Sequence, residues 1–400
     1  MNTFNFPNCH FRFRRMTSVA FVLGALIILA FASDSFAQRR GSVFENMDNK
    51  PKPTPGQPNS NPNMRPGVTP NGAPNRQQQN AEPDEFAPQV VTMTVKDEGI
   101  QLVATWFPPI VEDEKKKKKK PASSVAQNEI DEEPGKSTAP FILVHDWTRN
   151  RSDMLALALF LQSKGHGVIV PDLRGHGESR RVAGTTKLLD HTKFRKREEA
   201  SAVADIDQCK RFLQEKNNEG IVNIDLLNIV AVGDSSHLAV AWAIADWSWE
   251  PVAGIKQGKD VKSMILFSPS KKFAGSMLRK LVKEPLISGK LATPLPLLVV
   301  WGGQSDVDKD CGDFVELLRK HRPEAPEGDD LASRWMNQNL FDLKAPTAMS
   351  GVELAGSPNA KQIWAFANDF VSQKVLTFKD QFPWQIRGAD AVLKAREAQD

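Results

Sequence analysis

The sequence has few cysteines, and their positions exclude a disulfide framework. It contains three in 400 residues. Cys9 lies near the amino terminus, while Cys209 and Cys311 lie far apart in segments of helical character. Small secreted domains that depend on disulfides carry many closely spaced cysteines. We therefore expect Cys209 and Cys311 to be buried free thiols in a fold held by an apolar core.

The sequence also lacks the signatures of cofactor binding and of nucleic-acid binding. It contains no phosphate-binding glycine loop, no dinucleotide motif and no cluster with metal-ligand spacing. We therefore expect no cofactor and no metal. The formal net charge is only +4, which gives no basis for nucleic acid as a partner.

Histidine is missing from the end of the chain. The last one is His321, and 79 residues follow it. Histidine is the usual general base near neutral pH. A catalytic mechanism that takes a histidine base from the carboxyl-terminal segment is therefore disfavoured.

The first residues have the composition of an export signal. Arg12, Arg14 and Arg15 precede the apolar run 19–32, and Ala37 ends a stretch of small residues suited to cleavage. We predict a signal peptide over 1–37 and an exported protein, periplasmic or secreted. The alternative is an uncleaved membrane anchor formed by 19–32, although its 14 residues are fewer than the roughly 20 that span a bilayer.

Three other segments are predicted to lie outside the regular fold. Residues 38–89 are rich in Pro, Asn and Gln and predict a disordered tether. Residues 376–400 are predicted to form a tail beyond a domain at 90–375. Within that domain, the charged runs of residues 108–140 predict a solvated loop. The alternative for this loop is binding of an anionic polymer or lipid through six consecutive lysines: Lys115, Lys116, Lys117, Lys118, Lys119 and Lys120.

The remainder of the domain alternates between strand-like and helix-like segments. A predicted hairpin, 90–95 and 100–107, comes first. Strand-like runs follow at 141–144, 167–170, 227–232, 261–267, 295–301 and 340–343, and helix-like runs lie near 152–163, 198–216, 236–247, 309–321 and 359–373. This alternation indicates an α/β fold with a mostly parallel sheet and helices on both faces. In such sheets, functional residues lie at the carboxyl ends of the strands.

Three segments, in this order, resemble the α/β-hydrolase superfamily. Strand 141–144 runs into His145, Asp146 and Trp147, which is similar to the His-Gly dipeptide that opens the family's oxyanion loop. The segment 168–179, VIVPDLRGHGES, is similar to the family's P-D-x-R-G-H-G-x-S turn. The third segment places Gly233-Asp234-Ser235 between a strand and a helix, like a nucleophile elbow. The resemblance implies an eight-stranded sheet with one antiparallel strand from the hairpin and a lid-like insertion near 180–200.

The resemblance also assigns roles to individual residues. Ser235 falls at the nucleophile position, and the second glycine of the family's G-x-S-x-G is replaced by His237, which is expected to line the pocket. Asp306, with Asp308 as second choice, corresponds to the acid that orients the base. The oxyanion donors would be backbone N–H groups of Asp146 or Trp147 and of Ser236, and Trp147 would supply an apolar wall.

The catalytic base is the missing part of this set. The loop after the last strand, 345–352, reads APTAMSGV where the family has its histidine. His145 and His191 are the candidates for a displaced base. Loss of the base in a well-studied serine protease costs about a millionfold in rate.

Two functional hypotheses follow from these residues. The first is an exported serine-hydrolase-like protein that acts on a small-molecule ester, amide or acyl ligand with at most weak or unconventional activity. The second is a non-catalytic binding or envelope-interaction module built on a hydrolase fold.

Overall fold

One sheet organises the residues that the computed structural model describes, which are 85–110, 134–252, 255–291, 293–306, 308–322 and 330–388. All of them belong to the unit Asn80–Asp400. The strands are β1 (Gln89–Thr94), β2 (Ile100–Phe107), β3 (Pro140–Val144), β4 (Gly167–Pro171), β5 (Arg181–Val182), β6 (Leu227–Val232), β7 (Val261–Phe267), β8 (Lys272–Phe273), β9 (Ser276–Met277), β10 (Leu297–Gly302) and β11 (Leu340–Ala345).

Eight of these strands form the main path of the sheet, in the order β1-β2-β4-β3-β6-β7-β10-β11. Strand β2 runs antiparallel to β1 and β4, and every pair from β4 to β11 is parallel. The short β5 pairs with the first two residues of β2, and β8 and β9 form a separate ribbon. The predicted eight-stranded, mostly parallel sheet is confirmed.

The described part of the chain contains ten α-helices: α1 (Leu155–Gln162), α2 (Lys196–Ser201), α3 (Val203–Asn218), α4 (Ser236–Ser248), α5 (Leu278–Leu281), α6 (Pro285–Ser288), α7 (Lys309–Arg319), α8 (Leu331–Asn337), α9 (Val352–Gly356) and α10 (Lys361–Lys374). Short 3-10 turns lie at Pro134–Ser137, Arg151–Met154, His191–Lys193, Ile224–Leu226, Gly233–Ser235, Pro358–Ala360 and Leu376–Gln381. The lid-like insertion near 180–200 contains β5, a 3-10 turn and most of α2. No described helix is both long and apolar enough to cross a membrane.

The sheet separates two apolar cores because successive side chains of a strand point to opposite faces. In β6, Ile229 packs in the core that contains α3 and α4, whereas Val230 packs in the core that contains α1 and α10. All six residues of β6 are buried. This double burial explains why the strand sequences are continuously apolar rather than alternating.

The Gly-rich turn after β4 is built around a buried carboxylate. Asp172 accepts hydrogen bonds from the backbone N–H of Arg151 at 2.8 Å and of Glu178 at 2.9 Å, and pairs with the Arg151 guanidinium. Gly177 has φ of +41°, and a Cβ there would overlap Asp172. The motif that carries the family resemblance therefore has a structural role.

The packed domain extends beyond residue 375, the predicted start of the tail. Arg387 is 2% exposed and forms ion pairs with Asp260 at 2.8 Å and Asp225 at 3.2 Å. Asn218 and Asn223 donate side-chain hydrogen bonds to the carbonyls of Arg387 and Phe382. Sequence composition missed this segment because ion pairs and side-chain hydrogen bonds contribute much of its binding.

Arg387 also belongs to a larger buried ionic cluster. Lys210 contacts Asp246 at 2.5 Å and Asp260 at 2.8 Å. Burial alone would raise the pKa of Asp260, but Lys210 and Arg387 hold it well below its usual range.

Several predicted segments lie outside the described residues: the signal region 1–37, most of the tether and Lys115 to Lys120. Export and the role of the lysine run therefore stay predictions.

We expect Arg387→Met to lower the free energy of unfolding by about 3 kcal/mol, near the lower end for breaking a buried ion pair, because Lys210 and Lys256 still face Asp260. Urea unfolding monitored by circular dichroism would measure it. The matched control is Arg211→Met, which breaks an exposed i,i+4 pair with Asp207 worth only about 0.3–0.5 kcal/mol. Equal effects of the two substitutions would contradict the role given to Arg387.

Candidate functional site

The sharp turn after β6 falls on Gly233. This residue has φ of +53°, whereas Ser235 has the ordinary helical values of −68° and −10°. In a nucleophile elbow the strained residue is the nucleophile itself. Strand β6 ends at Val232, so the turn comes two residues before Ser235, the residue that the sequence predicts at that position, and the positive φ falls on Gly233.

The carboxylate of Asp146 occupies the space next to Gly233. A Cβ at position 233 would overlap Asp146 Oδ2. The same oxygen accepts a hydrogen bond from the backbone N–H of Asp234 at 3.2 Å. Asp146 Oδ1 accepts from the N–H and hydroxyl of Thr148 at 2.9 and 2.7 Å. The side chain of Asp146, rather than its predicted backbone N–H, is the part that enters the site.

Ser235 and Ser236 are buried beneath this turn. Both are fully shielded from solvent, and neither hydroxyl oxygen has a hydrogen-bond partner among the described residues. The backbone N–H of Ser236 is already directed to the carbonyls of Gly233 and Asp234. Ser236 therefore cannot act as the predicted oxyanion donor, and Ser235 is not hydrogen-bonded to a base.

His145 is held as a structural residue. Its Nδ1 donates to the carbonyl of Asp146 at 2.7 Å, and its Nε2 accepts the N–H of Leu173 at 3.0 Å. Burial lowers the pKa of His145, so the neutral ring is favoured. Both nitrogens of His145, predicted as a displaced base, are thus engaged in hydrogen bonds to the backbone in this arrangement.

His191 and His237 make contacts elsewhere. His191 stacks on His176 with ring centroids 3.7 Å apart, and its Nδ1 lies 3.2 Å from the carbonyl of Gly175. His237 donates from Nε2 to the carbonyl of Ser270 at 2.9 Å, and burial lowers its pKa. His237 is 3% exposed, so it packs beside the turn rather than lining an open pocket.

The acid position belongs to Asp308 rather than to Asp306. The Asp306 side chain is 91% exposed and pairs with Lys309 at 2.8 Å. Asp308 is buried and accepts hydrogen bonds from the N–H of Gly302 at 2.9 Å and the hydroxyl of Ser268 at 2.9 Å. Helix α7 begins directly after Asp308, which turns this carboxylate towards the sheet.

A serine stands opposite this acid where the family has its histidine. Ser350, in the loop after β11, donates its hydroxyl to Asp308 Oδ1 at 2.7 Å. The next N–H, that of Gly351, donates to Ser268 Oγ at 2.8 Å. Ser268 has φ of +45°, an uncommon conformation for serine, and these bonds hold it there. Sequence reasoning missed both serines, although 350 lies in the loop where a base was sought.

Trp147 lies in a cluster of rings next to the turn. It contacts His176 at 4.6 Å and Phe273 at 5.0 Å between ring centroids, with His191 and Phe194 at 6.2 and 6.3 Å. The ring is buried, so this tryptophan packs in the core rather than facing a ligand.

A cavity of about 310 Å³ lies at the carboxyl ends of the strands. It is lined by Trp301 to Asp306, Asp308, Lys309, Gly312 and Lys344. Its lining includes neither Gly233 nor Ser235.

Within the described residues, no group of three or more His, Cys, Asp or Glu side chains could hold a metal ion. Cys209 and Cys311 are buried free thiols, and burial raises the pKa of both. The groups at the carboxyl ends of the strands are thus hydrogen-bonded to one another or shielded.

We expect Gly233→Ala to destabilise the fold by at least about 2 kcal/mol, because a Cβ meets both the positive φ and the Asp146 carboxylate. Asp146→Ala should relieve the overlap, so the double variant should be more stable than the sum of the two single effects implies. Urea unfolding of the four proteins measures this coupling. Strict additivity would show that Asp146 does not occupy the space above Gly233.

No family model matches the sequence, and no curated protein shows significant sequence similarity to it. Solved structures do match. A thermostable carboxyl esterase from Bacillus coagulans is 12% identical over 71% of this chain and 99% of its own, with a TM-score of 0.44. A serine hydrolase homologue from Coxiella burnetii is 12% identical over 70% and 96%, with a TM-score of 0.39. An α/β hydrolase from Penicillium sp. sh18 is 12% identical over 72% and 99%, with a TM-score of 0.42.

The fold can be assigned from the geometry described above. Eight strands in one mostly parallel sheet, with β2 antiparallel near one edge, are covered by helices on both faces. A sharp turn joins the central strand β6 to helix α4. The chain therefore has the fold of the α/β-hydrolase superfamily.

Proposed function

We propose that this chain is an exported, non-catalytic binding protein that keeps the α/β-hydrolase fold without serine-hydrolase chemistry. The contact between Asp146 and Gly233 carries the proposal. A hydrolase needs a nucleophilic side chain at the strained turn. Here that residue is glycine, and a carboxylate from a neighbouring loop fills the adjacent space.

The oxyanion position supports the same proposal. In a hydrolase, the N–H of the residue after the nucleophile stabilises the negative oxygen that develops during acyl transfer. The corresponding group here, the N–H of Asp234, already donates to Asp146. A negative carboxylate at this point would repel a developing oxyanion instead of leaving the donor free for it.

The acid and base positions support it as well. Asp308 can orient a partner, but the partner present is Ser350. A hydroxyl does not accept a proton near neutral pH, so the acid has no base to orient. Weak hydrolysis at Ser235, the other hypothesis from the sequence, would require this buried hydroxyl to become accessible and to gain a base that no described neighbour supplies.

We expect no labelling of the folded protein by a fluorophosphonate probe and no hydrolysis of p-nitrophenyl esters above the buffer rate. An active serine esterase treated in parallel serves as the positive control, and Ser235→Ala as the matched variant. Gel fluorescence and absorbance at the nitrophenolate band are the measurements. Labelling that reaches one equivalent and disappears in Ser235→Ala would overturn the proposal.

A further inference from the structure

A second cavity lies at the opposite edge of the sheet. It has a volume of about 880 Å³, within the usual range for small-molecule sites. Leu295 and Pro296 line it just before β10 begins, and Asn339 lines it just before β11. The cavity is therefore at the amino ends of the strands, away from the turn at Gly233. Its apolar wall includes Trp247, Leu286, Leu291, Pro294, Phe378 and Phe382.

Two lysines contribute to the lining of this apolar cavity without an acidic partner. Among the described residues, neither Lys262 nor Lys374 forms an ion pair. Lys374 is 7% exposed and donates to the carbonyls of Trp335 and Met336, the latter at 2.9 Å. Lys262 donates to the carbonyl of Lys259, and its Nζ lies 4.7 Å from the ring centroid of Phe382. An ammonium group has three N–H donors, so each lysine keeps at least one for a ligand.

Burial is the main influence on the charge of these two side chains, and at Lys262 the charges of Asp260 and Asp246 offset it only in part. Burial lowers the pKa of Lys262 and of Lys374 to about 8 in each case. The acidic residues in the lining do not correct this. Glu250 is largely exposed and pairs with Lys259 at 3.5 Å, and Glu284 is exposed. An anion inside the cavity would supply the missing opposite charge, and burying a charge is favourable only when it is paired.

We infer that this cavity binds an amphiphile with a long apolar chain and a carboxylate head, with the head at Lys262 and Lys374. The apolar wall accounts for the chain, and the two ammonium groups account for the head. The inference gives a ligand class to the non-catalytic binding protein proposed above. It depends on residues that the hydrolase site does not contain.

Sodium palmitate tests the inference with the full-length protein, by titration of the intrinsic tryptophan fluorescence and by calorimetry. We expect saturable binding to one site, about tenfold or more weaker in Lys262→Met and in Lys374→Met, the usual effect of removing one charged hydrogen bond. Lys320→Met, which alters an exposed lysine outside the cavity, should bind like the wild type. Methyl palmitate should bind the wild type more weakly than palmitate and should not distinguish the lysine variants.

A variant that fills the cavity keeps the test decisive if a lysine variant fails to fold. Leu291→Trp should abolish palmitate binding while leaving the circular dichroism spectrum unchanged. No saturable binding to the wild type, equal affinity for the methyl ester, or an equal loss in Lys320→Met would overturn the inference. The fluorophosphonate assay with its Ser235→Ala control does not involve Lys262 or Lys374, so failure of the proposed non-catalytic function would be seen separately.

Discussion

The contact between the Asp146 carboxylate and the bare backbone of Gly233 determines what the turn after β6 can do. Any side chain at 233 would overlap the carboxylate, and the carboxylate takes the N–H of Asp234 that a hydrolase would keep for an oxyanion. An acid at 146 in this position and a nucleophile at 233 therefore exclude one another. In this structure Asp146 holds the space beside residue 233, and residue 233 is a glycine.

Asp308, at the position of a hydrolase's catalytic acid, takes part in the packing between the sheet and the loop after β11. Asp308 accepts hydrogen bonds from Gly302 and Ser268 on the sheet and from Ser350 on the loop after β11. Each such bond contributes roughly 1 kcal/mol or somewhat more when a charged group takes part, and a buried carboxylate without these donors would be costly. The network thus ties the last loop to the centre of the sheet. Strain at Ser268 persists there because the surrounding bonds hold it.

The sequence predicts the fold well and the site poorly, for physical reasons. Strands such as β6 and β7 are continuous apolar runs between helices, so their bounds follow from composition. The site depends on offsets of two residues: whether the turn falls on Gly233 or Ser235, and whether Asp306 or Asp308 turns inward at the start of α7. Those offsets are decided by where a strand ends and a helix begins, which are the least determined features of a sequence pattern. The docking of Arg387 was missed because the ionic cluster that holds it brings together residues distant in sequence and has no periodicity.

The carboxyl ends and the amino ends of the parallel strands differ in chemical character. At the carboxyl ends, Asp146 and Asp308 accept hydrogen bonds from neighbouring loops, whereas at the amino ends Lys262 and Lys374 line an apolar cavity and form no ion pair within the described residues. The wall of that cavity includes Phe378 and Phe382, which precede Arg387 in the segment that Asp225 and Asp260 anchor. A ligand touching both rings would gain contacts only while this segment is docked. Because binding to one state of an equilibrium stabilises that state, occupancy of the cavity by such a ligand would favour the docked position of residues 376–388.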